Sequence, residues 1–207
     1  MSGPLAHHPQ PPGAVHDAAI QWLAKQLAAV ASGDGVALAI AFGHAGRRHP
    51  DPAAARLQLV LAIPAQDPAH WLAQLDQLFA TAGLEELVTL YRALPHLPHP
   101  ELLRARAAAG VRSTMQAVFE AVALDNPYPA AWLEQGPLNQ MVLKAFFLAC
   151  DHRRILGLAA RANHELGTML SDYRRERVVA GRVVPAGLDE VVAWCTASSP
   201  ANPPAST

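Results

Sequence analysis

Residues 51–80 read DPAAARLQLVLAIPAQDPAHWLAQLDQLFA, and the dipeptide Asp-Pro occurs there twice, at Asp51-Pro52 and Asp67-Pro68. Each sets a capping carboxylate ahead of a proline at the first helical position. The missing N–H costs nothing there, and φ is already helical. Apolar residues then recur at helical spacing: Leu57, Val60 and Leu61 after the first start, and Trp71, Leu72, Leu75, Leu78 and Phe79 after the second. A period near 3.6 rather than 2 predicts two amphipathic helices and no strand.

The same grammar extends in both directions. Towards the N-terminus, Ile20, Leu23, Leu27 and Val30 predict a helix that ends near Ser32-Gly33, and Gly33-Asp34-Gly35 reads as a turn. VALAIAF (36–42) is apolar nearly all round, so a buried helix is expected that stops around Gly43–Gly46. Towards the C-terminus, Leu84, Leu87, Val88 and Tyr91 make a helix halted by Pro95, and His99-Pro100 opens another that closes near Gly110. Ser113 and Gln116 have capping-box spacing ahead of Met115, Val118, Phe119 and Val122, and Asn126-Pro127 ends that helix. Pro137 starts a helix carrying Leu138, Met141, Val142, Ala145 and Leu148. Asn163 caps one carrying Leu166, Met169, Leu170 and Tyr173, which closes at Gly181. A short last helix after Pro185 holds Leu188, Val191, Val192 and Trp194.

The expected fold is therefore all-α: about ten helices packed as stacked antiparallel pairs in a superhelix-like array, with no significant sheet. No shared motif recurs at a period of roughly 34 to 45 residues. Residues 14–197 are expected to form a single domain, with disordered Pro-rich tails at 1–13 and 198–207. Hydrophobic residues are 51% of the 207, which is ample for a packed core. A net charge of -1 argues against a nucleic-acid partner, which needs a concentrated basic face. The first residues lack the basic-then-apolar order of a secretory signal. No run approaches the roughly 18 apolar residues of a membrane span. No membrane insertion and a cytoplasmic location are expected. Cys150 and Cys195 read as small core residues in a reducing compartment.

Catalytic signatures are missing from the sequence: no GxSxG, no phosphate-binding loop, no dinucleotide fingerprint. The 10 histidines show no HExxH, and there is no CxxC, so no metal and no cofactor is implied. His99 reads more simply as part of a helix start than as a ligand beside His96.

Residues 91–181 carry a resemblance. ALDNPYPAAWL (123–133), LNQMVLKAFFL (138–148) and RANHELGTMLSDYRRERVVAGR (161–182) resemble the EboA family in order and spacing. The resemblance implies membership of a bacterial gene cluster, the ebo cluster. Its other products look like a UbiA-type membrane prenyltransferase, a sugar-phosphate cyclase resembling dehydroquinate synthase, a TatD-like metal hydrolase, a TIM-barrel protein and a phosphatase-like protein. Such clusters are associated with making or exporting a small metabolite, in cyanobacteria with movement of a pigment precursor to the periplasm. The resemblance brings a pathway, and no assigned activity for this member.

Polar residues on otherwise apolar helix faces are the candidate ligand-binding set. Asn139, Gln140 and Lys144 interrupt the Pro137 helix, where Lys144 either faces a pocket or runs its stem along apolar surface to water. Extending the stripe of the Asn163 helix past Tyr173 brings in Glu176 and Arg177, with Asp172 at its edge; these form either a ligand network or internal ion pairs. In the loop LDNPYPA (124–130), Asp125, Asn126 and Tyr128 are either backbone caps or pocket walls. Two functions follow. One is an accessory protein of the pathway, a helical scaffold or small-molecule binder whose partners are other ebo-cluster proteins or a small polar metabolite. The other is an enzyme of unrecognised type, acting on a polar intermediate in a pocket lined by Asp125, Asn139, Lys144 and Glu176/Arg177.

Overall fold

The computed structural model describes residues 12–197, and they contain twelve α-helices and no strand. The tails expected at 1–13 and 198–207 lie outside the described residues, except that Pro12 and Gly13 already belong to the first helix. By contacts the chain divides into two compact units, one ending at His99 and one starting at Pro100.

The first unit contains α1 (Pro12–Ala31), α2 (Gly35–Arg48), α3 (Pro52–Leu61), α4 (Pro68–Thr81) and α5 (Leu84–Ala93), followed by a 3-10 turn over Leu94–His96. Asp51 and Asp67 cap α3 and α4 as their prolines indicate, each carboxylate accepting from backbone N–H groups of the first turn. Asp34 is more than the turn residue expected of it, because its side chain caps α2 by accepting from Ala37 N at 2.9 Å. Helix α2 also departs from expectation in burial and length. Leu38, Ala41, Phe42 and Ala45 form one buried stripe, while Val36 is 71% and Ile40 52% exposed. The helix runs on past Gly43 to Arg48, because a glycine costs only about 1 kcal/mol in a helix held by its packed face. Helix α2 packs on α1 and α3, and α3 packs on α5; Leu59, Trp71, Leu75 and Leu90 are fully buried.

The second unit starts with a 3-10 turn (Pro100–Leu103) that leads into α6 (Arg104–Arg112) and α7 (Gln116–Ala123). Then come α8 (Tyr128–Trp132), α9 (Gln135–Phe147), a 3-10 turn (His152–Arg154), α10 (Leu158–Arg161), α11 (His164–Val179) and α12 (Leu188–Ala197). The Ser113 capping box does not form. Ser113 Oγ accepts instead from Met115 N, and Gln116 bonds forward to Glu120. Helix α9 starts two residues before Pro137, which still lies in the first turn, where its missing N–H is harmless. The LDNPYPA segment is not all loop, since Tyr128 opens the short α8. Helix α9 is the hub: it packs on α6, α7 and α11, with Leu138, Met141 and Val142 fully buried. Helices α11 and α12 approach so closely that a Cβ on Gly167 would lie 2.8 Å from Cys195 Cβ.

Candidate functional site

The buried polar chemistry of the second unit begins at Asn139, which is 1% exposed in the middle of α9. Its Oδ1 accepts from Gln135 Nε2 and Asn163 Nδ2, both at 2.9 Å, and its Nδ2 donates to Glu165 Oε2 at 3.1 Å. Asn163 meanwhile caps α11, accepting from Leu166 N at 3.0 Å. Arg161 completes the network by donating to the carbonyls of Ala130 and Leu133 and to Gln135 Oε1. An amide in the core is tolerated because each of its polar atoms finds a partner. The network pins α9 to the start of α11.

Lys144 lies on the same helix but serves a different end. Its Nζ donates to Val111 O at 2.8 Å and Ser113 O at 2.6 Å, and sits 4.7 Å from the centre of the Phe119 ring. Burial pulls its pKa below the ordinary lysine value. The carbonyls at the C-terminal end of α6 and the ring face both favour a cation there, so Lys144 is a cap for α6. Gln140 is exposed.

The LDNPYPA residues serve the turn into α8. Asn126 is buried; its Nδ2 donates to Ala121 O and its Oδ1 accepts from Tyr128 N. Tyr128 is buried and donates its hydroxyl to Pro100 O, and burial pushes its pKa up to about 12. Asp125 holds a left-handed φ of 54° and pairs with Arg154 in an exposed ion pair. On α11, Tyr173 is buried against Phe147, whereas Asp172 pairs with Arg175. Glu176 is exposed, contrary to the extended stripe. Ten residues beyond Leu166, it falls at the margin of the buried face, on a last turn that outruns the core. Arg177 is half-buried, but it donates to Val183 O and closes the turn after the helix. The structure thus distributes the candidate residues among separate partners. Of them only Asp172 lines one of the cavities described here, a cleft of about 220 Å³ between α11 and α12 that also includes His164, Ser171 and Arg175.

A larger cavity, about 360 Å³, lies between residues 149–153 and 185–187. His152 forms its inner wall at 4% exposure. The imidazole Nε2 donates to Glu190 Oε2 at 3.0 Å, and Nδ1 lies 3.9 Å from Asp151 Oδ1. Phe146 stacks on the ring at 5.9 Å between centres, and Trp194 lies 6.0 Å away. Opposite, Gly187 has a φ of 78°, and a Cβ there would fall 1.9 Å from His152 Cε1. The ring can fill that space only because residue 187 has no side chain.

The other lip is also conformationally unusual. Helix α9 ends with Cys150 N bonded to Ala145 O and Ala149 N to Phe146 O, the paired bonds that normally place a glycine in the left-handed position. Here that position is Ala149, with φ 54°, a cost of roughly 1–2 kcal/mol accepted at the cavity mouth. Cys150 lines the cavity, and burial, aided by Glu120, pushes its thiol pKa up. Both cysteines are free thiols.

Sequence reasoning passed over His152, Gly187 and Glu190. The one available sign was a glycine placed just after Pro185-Ala186, where a helix start alone does not require one. Among the described residues no cluster of His, Cys, Asp or Glu could hold a metal, and no helix is long and apolar enough to cross a membrane.

No curated protein and no solved structure matches the chain. The family described as Metabolite traffic protein EboA matches residues 25–193, a span that reaches into both compact units and leaves out the first part of α1 and the last turn of α12. The chain belongs to the EboA family.

Proposed function

We propose that this protein is an accessory component of small-metabolite traffic that holds a small polar molecule in the cavity walled by His152. The observation that carries the reading is the arrangement of His152 and Gly187. A buried imidazole is oriented by Glu190 and wedged against a glycine that has no room for a side chain, at the edge of a cavity of about 360 Å³. That volume is in the range of small-ligand sites, which combine a mostly apolar wall with a few fixed polar groups. Asp151 and Arg153 at the same cavity add hydrogen-bonding groups of both signs.

Ala186 lines the cavity from an exposed position, so a bulky residue there fills the space without entering the core. The full chain, incubated with a small-molecule extract of its own cells and desalted, is expected to retain a discrete small mass in native mass spectrometry. Ala186→Trp is expected to lower that retention at least tenfold with an unchanged melting curve. Retention equal in the two proteins, or no retained mass in either, would refute the reading.

A further inference from the structure

A second cleft, in the first unit, has the composition of a site for a different kind of molecule. It lies between α3 and α5 and holds about 290 Å³, the liquid volume of about ten waters. Its floor is apolar. Ala54 and Leu57 face Val88 and Thr89, and the Thr89 hydroxyl is already engaged with Glu85 O at 3.0 Å, so the residue offers the cleft an apolar surface. The space exists because α3 opens on three successive alanines after its proline.

Charge is divided between the two ends. Glu85 stands in the first turn of α5, and Arg92 seven residues on, about 10 Å along the axis, with His96 just beyond. The neighbouring acid, Glu86, is taken up by Arg56 at 3.3 Å. Arg92 has no ion pair or hydrogen bond to a side chain among the described residues, unlike Arg56, Arg154 and Arg174, which all pair with carboxylates. Its guanidinium is always charged and presents a fixed fork of donors suited to a carboxylate or phosphate.

We infer that this cleft binds a small amphiphilic anion, with an apolar body of roughly ten heavy atoms over Ala54, Leu57 and Val88 and an acid group at Arg92 and His96. The site is separate from the His152 cavity and does not rest on it. Octanoate, octanol and octylammonium share one chain length and differ in head group, so calorimetric titration of each into the full chain reads the head-group preference directly. Octanoate is expected to bind at one site, with octylammonium at least tenfold weaker. Arg92→Gln should reduce octanoate to the affinity of octanol, and Ala54→Phe should abolish binding of all three while the melting curve stays in place. The Ala186→Trp protein should bind octanoate as the unmodified chain does, so the two sites fail or stand independently. Equal affinity for octanoate and octylammonium, an unchanged preference in Arg92→Gln, or no octanoate binding would each overturn the inference.

Discussion

The two compact units use local and long-range polar side chains in different proportions. In the first, the polar groups that define the helices act within a few residues of their own position. Asp34, Asp51 and Asp67 cap the helices they precede, and Thr89 bonds to its own helix. Arg56, Gln74 and His99 are exceptions: Arg56 donates from α3 to Phe42 O and to Glu86, Gln74 donates to Gly33 O, and His99 Nε2 bonds to Ala65 O. In the second unit, buried and half-buried polar groups reach across long stretches of chain: Asn139 to Asn163 and Glu165, Lys144 to the end of α6, His152 to Glu190. A unit built mainly on local caps and apolar stripes loses little when one polar residue is removed. A unit tied by distant, buried hydrogen bonds loses several partners at once, because each leaves an unsatisfied group behind.

The sharpest break in that comparison should come at glycine. Gly187→Ala puts a methyl into the His152 ring, and the ring cannot turn aside, being stacked on Phe146 and bonded to Glu190. The expected loss is roughly 3–4 kcal/mol from overlap and left-handed strain together. Gly33→Ala, in the first unit, meets the same backbone penalty at φ 93° with nothing within 4 Å, and should lose only roughly 1 kcal/mol. Urea unfolding gives the totals. Hydrogen exchange assigns them to a unit, because the two need not open together. Similar losses at both positions would mean that the His152 contact is not fixed in solution.

The same contrast decides what could be read from the sequence. The starts of α3, α4 and α11 were legible at Asp51, Asp67 and Asn163, because a cap and the N–H groups it satisfies lie within one turn. The buried stripes were legible for the same reason of short period. The bond between His152 and Glu190 spans 38 residues and the bonds from Asn139 to α11 span 24 and 26, and no periodicity announces them. Lys144 and Glu176 were both visible as polar residues beside apolar stripes. Only the fold decides that one reaches the carbonyls at the end of α6 while the other points away from the core. The candidate cavity leaves a single sign in the sequence, the glycine after Pro185-Ala186, because a missing side chain forms no periodic pattern.

Asn139 offers the next test. Asn139→Leu keeps the volume approximately and removes the amide, leaving Asn163, Gln135 and Glu165 without their central partner. A loss of roughly 2–3 kcal/mol is expected, confined by hydrogen exchange to the second unit. In a double-mutant cycle, Asn139→Ala and Asn163→Ala should couple by about 1 kcal/mol or more, since the two amides bond to each other twice. Additive losses would show that the network is a set of independent caps, and the contrast between the units would shrink accordingly.

The smallest effect should come from Asp67, whose carboxylate accepts from Ala69 N at 3.0 Å and His70 N at 3.2 Å. Asp67→Ala removes a cap of the same kind as Asn163, but one with no bond beyond its own turn. It should lose about 1 kcal/mol, and Asp67→Asn should restore most of that, because an amide oxygen caps nearly as well. Asn163→Ala should lose more than Asp67→Ala by the coupling to Asn139, although both remove one capping oxygen from the start of a helix. The difference between those two variants, measured in the same denaturant series, is therefore a direct reading of what the second unit adds to helix capping. If the two variants lose equal stability, the reach of Asn163 across to α9 contributes nothing, and capping alone accounts for both helices.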